Sequence, residues 1–300
     1  MPWKENTPPI LSDLEPLWRN APIAEGGRAK DVEAARGGSG PLVSIVMPVF
    51  NGASYVRSSI DSVLAQTFDD VELVVVDGGS TDGTVEILKS YGDSIHYWRS
   101  ERDGGIYDAM NRGVSLARGT LVKIHNADDL MPKESSAEAV KTYRQARNPL
   151  SIVRSALATM DEAGEPLGVA GLESPIPWVP AVAHPTWYVP LEVYRRYGLY
   201  HTQWRVSSDT EMFYRLEREG VPFVAADKPL ALFRSGGASS GTTKIRETFA
   251  INTHYQGFGP AAFVAAFGCL SAAPRLLLGN KVETSSTIRW VRRKYRSLWQ

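Results

Sequence analysis

Three short acidic segments, far apart in the chain, carry residue types that could bind a charged ligand or move a proton. Asp77 ends the apolar run VELVVVD and is followed by Gly78 and Gly79. A carboxylate there can accept a hydrogen bond from a nucleobase N–H or a ribose hydroxyl, and glycines let the backbone approach a ligand closely. It can equally be a turn or cap aspartate. Asp128 and Asp129 follow LVKIH in Asn126-Ala127-Asp128-Asp129. Adjacent carboxylates are costly to hold together without a cation, and hard oxygen ligands suit Mg²⁺ or Mn²⁺ bound to phosphate. The alternative is an aspartate capping the helix expected at 134–146. Asp209, in VSSDTEMFYRL, lies where a helix should start. It is either a helix-end acid stabilised by the dipole or a general base for an acceptor hydroxyl. His184, in AHPTW, lines a site or packs. Gly236, Gly237 and Ser239, in RSGGASS, form a loop that either closes over a diphosphate or is plain surface.

The elements around these residues explain how they could meet. LVSIVMPVF and VELVVVD are nearly continuous apolar runs, as in strands covered on both faces of a parallel sheet. Between and after them come SYVRSSIDSVLAQT, with Val56, Ile60, Val63 and Leu64 at helical spacing, and GIYDAMNRGVSLARG, with Ile106, Met110 and Val114 four apart. IHYW and LVKIHN read as further strands, and VPFVAADKPLALFR as two strands around a turn. Such alternation predicts a right-handed, mostly parallel α/β sheet, whose ligands sit beyond the carboxyl ends of the strands. Asn51-Gly52, 77–83 and 126–129 all follow strands and should gather at one edge. The first strand leads into Pro48-Val49-Phe50-Asn51-Gly52, not into G-x-G-x-x-G, which argues against a redox dinucleotide fold.

Composition sets the outer bounds. The 300 residues are 43% hydrophobic and 22% charged, with 33 basic and 33 acidic side chains. That is ordinary globular material and gives no sign of nucleic acid as a partner. The single cysteine, Cys269, fits a reducing compartment, and the acidic, proline-bearing start MPWKENTPPILSDLEPLW lacks the apolar core of a signal peptide. A cytoplasmic location is expected.

Taken in order, PLVSIVMPVFNGASYVRSSIDSVLAQTF, VELVVVDGGSTDGT, SERDGGIYDAMNRGVSLARG and KIHNADDLM resemble the inverting family 2 glycosyltransferases of GT-A fold. A weaker likeness runs through HPTWYVPLEVYRRYGLY, RVSSDTEMFYRL and FRSGGASS, towards the branch that builds bacterial surface polysaccharides and glycolipids. The resemblance implies a nucleotide-diphospho-sugar donor, most often UDP-linked, a Mn²⁺ or Mg²⁺ cofactor and a glycan or glycolipid acceptor. It places Pro48, Val49, Phe50 and Asn51 at the nucleoside pocket and Asp77, with Gly78, at the base. Asp103, Asp108 and Asn111 fall near nucleotide and donor sugar, together with Asn126 and Ala127. Asp128, with help from Asp129 or from water, would hold the metal, and Asp209 would be the base. Two departures stand out: Asn126 occupies the first acidic position of D-x-D, and Gly78 stands where many relatives carry a second acid.

The expected domains are a flexible lead-in at 1–40, a catalytic domain at 41–245 (nucleotide half 41–130, acceptor half 131–245) and a helical C-terminal segment at 246–300. Residues 255–274 carry no charge, and Arg289, Trp290, Arg292, Arg293, Lys294, Tyr295, Arg296 and Trp299 follow. That pattern fits either attachment to an anionic inner leaflet or helices packed on the domain or across a homo-oligomer. Two other readings are a non-catalytic GT-A scaffold, kept open by Asn126, and a sugar-nucleotide nucleotidyltransferase. The latter would want a basic glycine-rich loop after the first strand, and PVFNGASY has no Lys or Arg.

Overall fold

The seven residues of VSIVMPV are all buried and form the central strand of the sheet, as expected of a segment apolar on both faces. The structure, a computed structural model, describes residues 8–9, 21–31, 34–35, 37, 40–170, 172, 182–235 and 242–262. In chain order the first half comprises β1 (Ala24–Gly26), β2 (Val43–Val49), α1 (Val56–Leu64), β3 (Val71–Asp77), α2 (Thr84–Ser90), β4 (Tyr97–Ser100), α3 (Ile106–Leu116) and β5 (Leu121–Ile124). The second half comprises α4 (Ser135–Gln145), β6 (Ile152–Arg154), β7 (Leu157–Met160), β8 (Pro166–Ala170), β9 (Val189–Pro190), α5 (Leu191–Tyr197), α6 (Ser208–Arg218), β10 (Phe223–Ala225), β11 (Leu232–Arg234) and α7 (Thr242–Gln256).

The main sheet has the order β1-β4-β3-β2-β5-β9. Its four inner strands are parallel, and an antiparallel strand closes each edge. One apolar cluster joins Val46, Val114, Ile124 and Trp187 on one face; the other joins Ile45, Met47, Ile60 and Leu73 on the opposite face. This is the GT-A-like α/β architecture expected, and all the inner strands end at the same edge.

Several expectations change in detail. Residues 24–26, inside the expected flexible lead-in, pair antiparallel with β4 as the outermost strand. The segment at 223–234 does form two strands, but they do not pair with each other: β10 joins β6 and β11 joins β7. Ile106, which the four-residue spacing put on the core stripe of α3, is 43% exposed, and Tyr107 takes the buried place at 6%. The apolar strand LVKI buries its lysine completely: Lys123 Nζ donates to the Pro185 carbonyl at 2.5 Å and lies 5.0 Å from the centre of the Tyr188 ring. Burial pulls this amine down to about 7, against the opposing pull of Asp129.

α3 lies so close to the sheet that only glycine fits at 113. A Cβ there would fall 2.2 Å from Val46 Cγ1, and Val46 is fully buried. Gly113→Ala is therefore expected to destabilise by about 1–3 kcal/mol despite alanine's better helix propensity. Adding Val46→Ala should recover part of the loss. A Gly113→Ala variant with wild-type urea midpoint would contradict this packing.

Candidate functional site at the strand ends

The loop after β3 is organised around Asp77. The residue is fully buried, and its carboxylate accepts the backbone N–H of Gly79 (3.1 Å) and of Ser80 (2.9 Å), the Ser80 hydroxyl, and the Ser100 hydroxyl at 2.6 Å from the end of β4. In this arrangement Asp77 is the turn aspartate of the two readings, not a side chain open to a base. Asn51 has a similar task. Its backbone adopts φ 50, its N–H donates to Ser80 Oγ at 2.7 Å, and its Oδ1 accepts the Thr81 N–H at 3.0 Å. The Ala53 N–H donates to Asp82 and the Gly52 N–H to Thr84, so the loops after β2 and β3 are laced into one unit. Pro48 and Val49 are buried in β2 beneath it, while Phe50 projects from it, 66% exposed.

The loop after β4 closes on the same unit. A Cβ built on Gly78 would lie 2.8 Å from Asp103 Oδ2, so a side chain at 78 would require the Asp103 carboxylate to shift. Asp103 Oδ1 accepts the Gly105 N–H at 2.8 Å, and the side chain remains partly exposed. Burial raises its pKa, partly offset by the Gly105 N–H, with the charges of Asp108 and Asp77 adding to the rise. Asp108 is held by Arg112 at 3.0 Å and by the Gly104 N–H at 2.8 Å, which makes it a brace for that loop. Asn111 is a correction to the expected donor contact. It is 1% exposed, and its amide exchanges two hydrogen bonds with the Tyr200 backbone, 2.8 and 3.0 Å long.

The third loop carries Asn126, Ala127, Asp128 and Asp129. Ala127 lies 3.8 Å from the place of a Gly52 Cβ, so this loop abuts the first. Asp129 is 1% exposed, and both its oxygens are engaged, by the Arg234 N–H at 2.9 Å and by Asn126 Nδ2 at 3.1 Å. Burial first, then the neighbouring Asp128, lift its pKa to about 7. Both its oxygens thus already have protein partners, which leaves Asp128 as the more open carboxylate of the pair. Asp128 stays partly exposed, its pKa raised by burial and opposed by the Arg234 charge. The Asn126 amide spends its N–H on Asp129 and leaves Oδ1 buried with no hydrogen-bond partner among the described residues. Arg234 clamps this loop: its Nε donates to the Asp128 carbonyl at 2.9 Å and its guanidinium lies 4.9 Å from the centre of the Tyr55 ring.

Asp209 sits in the first turn of α6, as the sequence indicated. Its Oδ1 accepts the Tyr107 hydroxyl at 3.3 Å, which joins α6 to the start of α3. His184 is 5% exposed, and its Nε2 is hydrogen-bonded to the Tyr200 hydroxyl at 2.8 Å, so it packs under the site and does not line it. Gly236, Gly237 and Ser239 lie outside the described residues. Tyr107, Lys123 and Ser100 were not singled out from sequence; only the i, i+4 pairing of Tyr107 with Asn111 on α3 could have drawn attention to the first. Among the described residues no group of three His, Cys, Asp or Glu converges to cage a metal. Two clefts of about 170 and 310 Å³ lie at the opposite, amino-terminal end of β3, where the Glu72 carboxylate is already paired with Arg118.

Residues 44–167 match the family model described as glycosyl transferase family 2. The chain is 37% identical over 139 residues to an uncharacterised glycosyltransferase of Rickettsia felis, covering 46% of this chain and 23% of that protein. It is 30% identical over 189 residues to one from Rickettsia typhi, covering 59% of each. It is 38% identical over 117 residues to a PGL/p-HBAD biosynthesis glycosyltransferase of Mycobacterium tuberculosis, covering 38% of this chain and 45% of that one. The matches thus span less than two thirds of these relatives. Among solved structures, S. aureus TarS 1-349 in complex with UDP aligns with TM-score 0.58 at 16% identity, over 80% of this chain and 75% of that one. The same protein in complex with UDP-GlcNAc aligns equally well, at TM-score 0.58. This likeness shows the fold, which is GT-A.

Burial holds His184 down to about 4, against 6.5 for a free histidine. Between those values the unfolded chain binds a proton that the folded chain does not, so stability falls as pH drops through that window. His184→Gln should remove its share: between about pH 7 and about pH 5 the urea midpoint should fall less in the variant than in the wild type. Equal falls would show that His184 is not held neutral.

Proposed function

We propose, from the premise that this chain carries a glycosyl transferase family 2 domain, that it moves a sugar from a nucleotide-diphospho-sugar to an acceptor hydroxyl with inversion at the anomeric carbon. The single observation that carries this reading is the gathering of the partly exposed carboxylates of Asp103 and Asp128 at one sheet edge, with Asp209 tied to that edge through Tyr107. UDP is the proposed carrier, because UDP and UDP-GlcNAc occupy the TarS complexes that share the fold. A glycolipid or surface glycan is the proposed acceptor class, in keeping with the mycobacterial relative.

The exposed Phe50 offers a flat apolar face for the nucleobase, and the laced 50–53 and 77–83 loops give a rigid floor. A divalent Mn²⁺ or Mg²⁺ fits the Asn126–Asp128 turn. The Asp128 carboxylate and the orphaned Asn126 Oδ1 are two hard oxygens, and such ions commonly take one or two protein ligands and fill the rest with phosphate and water. Bound there, the ion would neutralise charge on the departing diphosphate. Asp209 takes the acceptor proton as the acceptor oxygen bonds to the anomeric carbon. The bond from that carbon to the diphosphate oxygen breaks on the opposite side, and its electron pair leaves with the phosphate.

Peripheral attachment is part of the proposal. Among the described residues no helix is long and apolar enough to cross a membrane. The uncharged 255–274 stretch and the basic, tryptophan-bearing 289–299 tail support docking on an anionic surface. Residues 263–300 lie outside the described residues.

Asp209→Asn is expected to cut turnover by roughly 10²–10⁴-fold while donor binding persists. Wild-type turnover in that variant would remove Asp209 from the role of base. Asp128→Ala should abolish the Mn²⁺-dependent part of UDP binding in calorimetric titration, and Asn126→Ala should weaken it; binding curves that superimpose on wild type would rule out the proposed ion site.

A further inference from the structure

Tyr107 occupies the junction between the donor-side loop and the helix that carries Asp209. It is the second residue of α3, directly after the Asp103–Gly105 turn, and is 6% exposed. Its hydroxyl donates to Asp209 Oδ1 at 3.3 Å and is approached by the Asp209 backbone N–H at 3.5 Å. The ring cannot swing away. It stacks on Tyr200 with centroids 5.6 Å apart and planes 28° apart. Tyr200 is fixed in turn: Asn111, one turn further along α3, grips its backbone, and its hydroxyl bonds to His184 and Tyr194. Burial first, and then the Asp209 charge, hold the Tyr107 phenol well above its ordinary pKa, so it remains a proton donor at working pH.

Among the described residues, the hydrogen bonds to the Asp209 carboxylate converge on one oxygen. Oδ1 receives the Tyr107 hydroxyl, the Thr210 N–H at 2.8 Å and the Thr210 hydroxyl at 3.5 Å. Oδ2 has no partner among the described residues. We infer that Tyr107 is a positioning residue for Asp209: its hydroxyl pins Oδ1 and thereby leaves Oδ2 to take the acceptor proton. The inference rests on the reading of Asp209 as base. It also gives α3 a double duty, since the helix braces the donor loop through Asp108 and the acceptor side through Tyr107.

A double-mutant cycle tests this with UDP-GlcNAc as probe donor, Mn²⁺ present and water as acceptor. Tyr107→Phe keeps the ring and its stacking, and its melting temperature serves as the folding control. It should lower kcat roughly tenfold at unchanged donor KM in the wild-type background, and have no further effect in an Asp209→Asn background. Equal losses in both backgrounds, or wild-type kcat in Tyr107→Phe, would overturn the inference while leaving Asp209 as base. Undiminished hydrolysis by Asp209→Asn alone would instead sink the reading beneath it. A crystal structure of Tyr107→Phe supplies a readout independent of donor: the Asp209 carboxylate should rotate or split between rotamers, and a single unchanged rotamer would count against the pinning role.

Discussion

Asp77 holds a carboxylate entirely out of water, and the loops around it exist in their observed form because that charge must be met. It is met by two backbone N–H groups and by the hydroxyls of Ser80 and Ser100, which bind the end of β3 to the end of β4. Ser80 then receives the Asn51 N–H, which extends the same network to the end of β2. Three parallel strand ends are thereby fixed relative to one another. Everything proposed for the site depends on that, because a diphosphate and a sugar can only be gripped at once by loops whose spacing does not drift.

Side chains at this edge divide into those that build the loops and those that remain open. Asp77, Asn111 and Asp129 are buried with both side-chain polar atoms committed to protein partners, and Asn51 and Asp108 brace the loops while keeping some exposed surface. Phe50, Asp103 and Asp128 keep exposed surface. Linear sequence does not draw this line. An aspartate after a strand looks the same whether its oxygens face solvent or the next loop, and the burial that decides the matter comes from segments many residues away. The departure at Gly78 becomes intelligible only in three dimensions, where Asp103 from the next loop fills the space a side chain would need.

The strands were legible for a simple reason. Val43–Val49 and Val71–Asp77 are covered on both faces and so read as unbroken apolar runs. By contrast β1 is only Ala-Glu-Gly, with no β-forming residue, and it is a strand because β4 offers an unpaired edge. Likewise 223–225 and 232–234 are the two strands read from the sequence, but which sheets they join is not legible there, since their partners β6 and β7 come from far earlier in the chain. On α3, spacing alone chose Ile106 for the core, whereas the site needed Tyr107 there. Lys123 was read as part of an apolar strand. Its buried amine instead holds the Pro185 carbonyl in the turn that carries His184, a role visible only from the contact.

The most direct test of the central claim, that these loops form one nucleotide-sugar edge, is amide hydrogen exchange on the full chain with and without UDP and Mn²⁺. The account predicts slowed exchange at 50–53, 77–83, 103–106 and 126–129 together, with the amino-terminal end of the sheet unchanged. Protection confined to the cleft lined by Arg28, Glu72 and His96, or none at the four loops, would contradict it.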